Sequence, residues 1–207
     1  GETEREPGFA GTSVGAVSLK MNAFRTILIL AAAFLAVFGE ATLPFPRNLL
    51  GAQVDLLPAI MVYAALNSSL TTIVALAIFG GLWFDTFSAN PLGITILPLF
   101  LVGFPIYLRR DLILRHAPFA QLVLGAAASA IVPLLKLLML LSGSTGPLLG
   151  WGTIWQWLVM TAGGAVATPF IFELMERCNR ALGYQPRQET SFRPDREIQR
   201  GRNLKQK

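Results

Sequence analysis

Gly81-Leu82-Trp83-Phe84-Asp85-Thr86-Phe87-Ser88-Ala89-Asn90-Pro91-Leu92-Gly93 joins two strongly apolar stretches of the chain. It sets one carboxylate, Asp85, at the end of a hydrophobic run; Ser88 to Pro91 then break the chain, and Leu92 opens the next run. Asn-Pro followed closely by Gly is a breaker signal. An ionisable residue at the edge of a membrane span is costly to bury, so it has a partner or a task. The stretch therefore predicts a sharp hairpin between two spans, with Gly81, Asp85, Ser88, Pro91 and Gly93 as its defining positions.

The composition around this hairpin fits a membrane protein. Of 207 residues, 53% are hydrophobic and 14% charged, against about 25% charged in a soluble domain. The mean hydropathy is +0.55. From Phe24 to Met175 the charges are Arg25, Glu40, Arg47, Asp55, Asp85, Arg109, Arg110, Asp111, Arg115, Lys136 and Glu173, nearly all between apolar runs or at their ends. Such a chain reads as an all-α, polytopic integral membrane protein, because only helices or closed barrels satisfy every backbone polar group in lipid.

A bilayer core takes about 20 apolar residues as a helix. Six segments are expected, at about residues 22–38, 55–66, 70–84, 92–108, 119–141 and 151–175. Several are short, and Pro58, Pro98, Pro105, Pro133 and Pro169 interrupt them, so a compact bundle of short, kinked helices is expected. Lys and Arg near the spans set orientation. With the N-terminus inside, Arg5, Lys20, Arg25, Arg109, Arg110, Arg115 and nine residues after Met175 are cytoplasmic, and only Arg47 lies outside. The expectation is an inner-membrane, multi-pass protein with both termini cytoplasmic.

Three regions follow. Residues 1–20, polar and without apolar helical periodicity, are expected to be a disordered N-terminal extension, with Met21 just before the first span as the native start. Residues 21–176 form the transmembrane domain. Residues 177–207 form a basic cytoplasmic tail, disordered on its own and suited to anionic lipid; nothing accompanies its charge that would suit nucleic acid.

On this topology Glu40, Asp55, Asp85 and Lys136 lie toward the outer side. Lys136 either pairs with Asp85 or Asp55, or snorkels to the headgroups. Small residues recur at four-residue spacing in Ala32/Ala36, Ala126/Ala130 and Gly163/Ala167, and such pairs let helices approach closely. Trp151, Trp155 and Trp157 read as an interfacial belt.

Signs of catalysis are missing. One cysteine, Cys178, and one histidine, His116 in a basic loop, leave no disulfide and no cysteine-rich metal site. There is no phosphate-binding loop, no H-E-x-x-H and no G-x-S-x-G. No metal or cofactor is expected, and a non-enzyme is favoured.

The hairpin residues carry a resemblance. The chain resembles the rod shape-determining protein MreD family, whose pattern is approximately G-L-L-x-D-x-x-S-G-x-P-L-G; here it reads Gly81-Leu-Trp-Phe-Asp85-Thr-Phe-Ser88-Ala-Asn-Pro91-Leu92-Gly93. The family's P-D-L-L opening of the second span appears as Val54-Asp55-Leu56-Leu57. Ala89 stands where the family often has Gly, and Val54 where it often has Pro. The likeness covers about residues 21–180. It implies a non-catalytic scaffold or regulator of lateral-wall peptidoglycan synthesis, working with MreC, the actin-like MreB, the polymerase RodA and a class B transpeptidase. It also implies a fold like the substrate-binding subunit of energy-coupling-factor vitamin transporters. Such a transporter subunit is the alternative reading, and it would need an outward pocket with polar ligands.

Overall fold

The computed structural model describes residues 11–42, 51–88, 91–112, 117–142 and 150–181, with side chains from residue 23 onward. Among these residues six helices form: α1 (Gly11–Thr42), α2 (Leu57–Asn67), α3 (Leu70–Phe87), α4 (Ile96–Leu108), α5 (Pro118–Ser142) and α6 (Trp151–Ala181). No strand occurs among the described residues. Two compact units divide the chain, Gly1–Leu174 and Met175–Lys207, and the bundle belongs to the first. Arg47, Arg115, His116 and the basic tail beyond Ala181 lie outside the described residues.

The six expected spans are of two kinds. Four are long and apolar enough to cross a membrane: Ala23–Thr42, Leu70–Phe87, Pro118–Ser142 and Trp151–Ala181. The other two, α2 and α4, have 11 and 13 residues, or roughly 17 and 20 Å at 1.5 Å per residue, short of the ~30 Å hydrocarbon core. At its start α1 reaches back to Gly11, into a stretch that shows no apolar periodicity.

The centre of the bundle is α2. Every residue from Leu57 to Leu66 is buried, and the helix packs against α1, α3, α4 and α5. A helix that is apolar on all sides needs such a surround. Its shortness is tolerable because its neighbours, not lipid, meet its flanks and ends. Pro58 sits in the first turn, where a missing N–H costs nothing. Pro105, Pro133 and Pro169 lie inside α4, α5 and α6. One turn before Pro133, the Ala130 carbonyl accepts a bond of 2.9 Å from the indole Nε1 of Trp157. That bond ties one belt tryptophan to α5, while Trp151 and Trp155 stay exposed.

Small residues form a close helix seam, one residue away from the expected register. On α5 and α6 the contact is made by Gly125 and Ser129 against Gly164 and Thr168. A Cβ on Gly125 would lie 2.6 Å from Thr168 Cβ, and a Cβ on Gly164 would lie 2.4 Å from Ser129 Cβ. Ala126 and Ala130 are only half-buried beside this seam. On α1 the buried stripe is Ile29, Ala33 and Val37, not Ala32 and Ala36. Four-residue spacing reveals a helix face but leaves its phase open, since adjacent stripes differ by one position.

Candidate functional site

Asp85 sits in the last turn of α3 and is 1% exposed. Its Oδ2 accepts the N–H of Gly93 at 2.8 Å and of Thr95 at 3.1 Å, and its Oδ1 accepts the Thr95 hydroxyl at 2.5 Å. The carboxylate thus holds the turn that opens α4. The other motif residues serve the same corner. The Ser88 N–H closes α3 on the carbonyls of Phe84 and Asp85. The Pro91 carbonyl accepts the Ile94 N–H at 3.3 Å. Gly93 has φ +89°, a conformation that costs an L-residue roughly 1–2 kcal/mol. A Cβ on Gly81 would stand 3.0 Å from the backbone nitrogen of Ile96, so glycine there lets α3 lie directly against the start of α4.

A second knot lies in residues 53–57, whose side chains and backbone contact four different helices. The Gln53 N–H and carbonyl both bond the Gln156 side chain of α6, at 3.2 and 2.9 Å. Val54 fills the space over Gly163, where a Cβ would approach its Cγ1 to 2.7 Å. Asp55 Oδ2 meets Lys136 Nζ of α5 at 3.5 Å. The Leu56 N–H donates to Glu40 Oε1 of α1 at 2.6 Å. Leu57 packs under Gly80 of α3, its Cδ1 3.1 Å from where a Cβ would be. This five-residue segment therefore gathers α1, α3, α5 and α6 around the start of α2.

The membrane-embedded charges are thereby assigned. Lys136 pairs with Asp55 and not with Asp85, whose two oxygens are spent on the Gly93–Thr95 turn. Snorkelling does not describe it either: Lys136 is 8% exposed, and its Nζ lies 4.1 Å from the Phe84 ring centroid, a cation–π geometry. Asp55 also accepts the Leu57 N–H on Oδ1 at 3.0 Å. Glu40 Oε2 and Asp55 Oδ2 are buried and take no hydrogen bond, so the knot holds more acceptor capacity than its neighbours satisfy.

The three carboxylates share one electrostatic role. A helix N-terminus carries a partial positive charge and unpaired N–H groups. Asp55 and Glu40 serve the start of α2; Asp85 serves the start of α4. At the opposite end of α2, Arg110 Nη1 donates to the Ser68 carbonyl at 3.2 Å, a cation at a helix C-terminus. Both ends of α2 and the start of α4 fall inside the protein, and these ends are where the embedded carboxylates and Arg110 act.

Glu40, Thr95, Gln53 and Gln156 complete these knots, and no motif marks them. Thr95 lies ten residues beyond Asp85, and Gln53 and Gln156 are 103 residues apart. Only the position of Glu40 at the end of an apolar run hinted at its part. Among the described residues no group of three His, Cys, Asp or Glu side chains could hold a metal ion.

Beside the 53–57 knot, α5 and α6 enclose an open groove of about 810 Å³. Pro133, Leu137, Leu140, Ile154, Trp157 and Met160 give it an apolar lining, with Lys136 and Gln156 as its charged and amide members. Both of those are engaged with residues 53–55.

The chain matches no protein-family model, no curated protein and no solved structure at a significant level. Among the described residues the structure is all-helical, with four helices long and apolar enough to cross a membrane.

Proposed function

We propose that the chain is a non-catalytic inner-membrane scaffold of the lateral-wall peptidoglycan machinery, of the kind the MreD proteins provide, with both termini in the cytoplasm. In this reading it binds an MreC-type membrane protein, and through it the actin-like MreB, the RodA polymerase and a class B transpeptidase. The observation that carries the reading is the use of the Gly81–Gly93 pattern. Gly81, Asp85, Ser88, Pro91 and Gly93 all serve one corner, with both oxygens of Asp85 hydrogen-bonded within the turn. A buried carboxylate held by three hydrogen bonds from its own turn suits a structural role.

The same geometry weighs against the transporter reading. Transporters aim the N-termini of interrupted helices at anionic substrate groups. Here those ends, on α2 and α4, already hold the protein's own carboxylates. The α5–α6 groove has an apolar lining, which suits lipid or an apolar helix better than a polar vitamin.

Depletion of the protein in its host is the decisive experiment. Rods should become round, and the MreC-type partner should co-purify with the tagged, full-length chain. Rods that keep their shape after depletion would sink the assignment.

A further inference from the structure

The α5–α6 seam closes the two helices together at one level only. A Cβ on Gly164 would lie 2.4 Å from Ser129 Cβ, so nothing else enters between them there. Nearer Ser142 and Trp151 the same two helices line the groove of about 810 Å³. They therefore part as they approach the ends of their membrane spans, and the groove tapers. Its narrow end stops at the seam, where the Trp157 indole bonds the Ala130 carbonyl at 2.9 Å. Its wide end lies at one membrane surface.

The lining is graded along this taper. Pro133 and Met160 lie toward the seam, and the polar groups of Lys136 and Gln156 are occupied by residues 53–55. Thr153 and Gly150 stand at the wide end. There the Thr153 hydroxyl accepts the Gly150 N–H at 3.4 Å and keeps its own proton to donate. Trp151 and Trp155 are exposed at the same end, as rings at a headgroup boundary are. Apolar depth beneath a polar rim fits an amphiphile whose tail points to the seam.

Size separates a lipid from a protein partner. Eleven described residues line the groove, against about 20–30 per side in a specific protein interface. A volume of about 810 Å³ falls within the roughly 300–1,000 Å³ of small-molecule sites. A helix about 10–12 Å across cannot follow the taper to its narrow end, whereas a flexible chain can. Lining atoms without neighbours lose their dispersion contacts, so a chain that fills the taper is held by packing.

We infer that the groove seats one acyl chain of a membrane glycerophospholipid, its tail directed to the Ser129–Gly164 seam and its ester carbonyl at the Thr153 hydroxyl. Packing and one hydrogen bond supply the hold, because surrounding lipid cancels any hydrophobic gain. No headgroup charge is required, so the site is independent of the basic tail. It is independent of the scaffold reading as well.

The test uses the full-length protein in nanodiscs of phosphatidylcholine alone, a lipid without net charge for the basic tail to attract. After transfer to detergent, native mass spectrometry counts the lipid that stays bound. The wild type should keep one phosphatidylcholine per chain. Leu134→Trp combined with Ile154→Trp should lower that occupancy about tenfold, the effect of losing roughly ten close atom contacts. Both positions line the groove and are 55% and 51% exposed, so the fold should stand. Thr153→Val, which keeps the side-chain shape and removes the donor, should lower occupancy about fivefold, the worth of one net hydrogen bond. Phe170→Trp, on an exposed part of α6 outside the groove, should retain lipid as the wild type does. A wild type that keeps no lipid overturns the inference. So does full retention by the groove variants, or equal loss from Phe170→Trp, which would mark the lipid as unspecific.

Discussion

Lys136 of α5 meets Asp55 at the head of α2 across 3.5 Å, with the Phe84 ring 4.1 Å from the same ammonium. The pair joins two helices, with the side chains 10% and 3% exposed. Breaking a buried pair by removing one partner leaves an uncompensated charge and costs about 3–5 kcal/mol. Lys136→Met should therefore lower the melting temperature in detergent sharply. Asp55→Asn keeps the Oδ1 acceptor for the Leu57 N–H but leaves the buried Lys136 ammonium unpaired, so it should also be strongly destabilising. The double variant should recover much of the loss, giving a coupling on the order of 1–3 kcal/mol. Additive effects in that cycle would show that the contact carries no energy.

Asp85 accepts three hydrogen bonds that open α4. Bonds to a charged acceptor are worth about 1.5–3 kcal/mol each, and orphaned buried donors add to the loss. Asp85→Ala should cost about 3 kcal/mol or more and reduce the amount of protein in the membrane. Asp85→Asn, which preserves shape and one full acceptor, should sit midway. Equal stability of Asp85→Ala and wild type, measured by denaturant or heat, would remove the clasp from the account of this corner.

Gly81 and Gly93 are needed for different reasons, so their alanine variants should differ in kind. Gly93→Ala is a conformational penalty of roughly 1–2 kcal/mol at φ +89°, and Gly93→Asn should be milder because Asn tolerates that region. Gly81→Ala pushes on the Ile96 backbone and should cost about 1–3 kcal/mol as overpacking, with no rescue by Asn. Thermal melts of the three variants separate the two mechanisms.

The α5–α6 seam gives a test of register. Gly125→Ala and Gly164→Ala place a methyl inside the partner helix's atoms and should destabilise by about 1–3 kcal/mol. Ala126→Val, one position away and only half-buried, should stay within about 1 kcal/mol of wild type. If Ala126→Val proved the more harmful, the seam would lie on the other stripe.

The helical membrane class, the hairpin at Asp85 and the importance of Gly81 and Gly93 could be read from the chain alone. Apolar runs, a charge deficit and a breaker pattern are local signals, and each is complete within about twenty residues. The partner of Lys136 could not be read that way. Asp55 and Asp85 both stood at compatible depth, and the choice turned on Thr95 and Gly93 taking up Asp85, contacts that exist only once α4 starts beneath α3. The phase of the small-residue stripes was hidden for a similar reason, since spacing repeats every four residues while packing selects one stripe. Hydropathy gave six apolar segments but could not say that two are only partial spans. That distinction rests on burial: α2 lies enclosed by α1, α3, α4 and α5. Its ends, and the start of α4, fall inside the protein, and the embedded carboxylates sit there because an enclosed helix terminus still needs its N–H groups met.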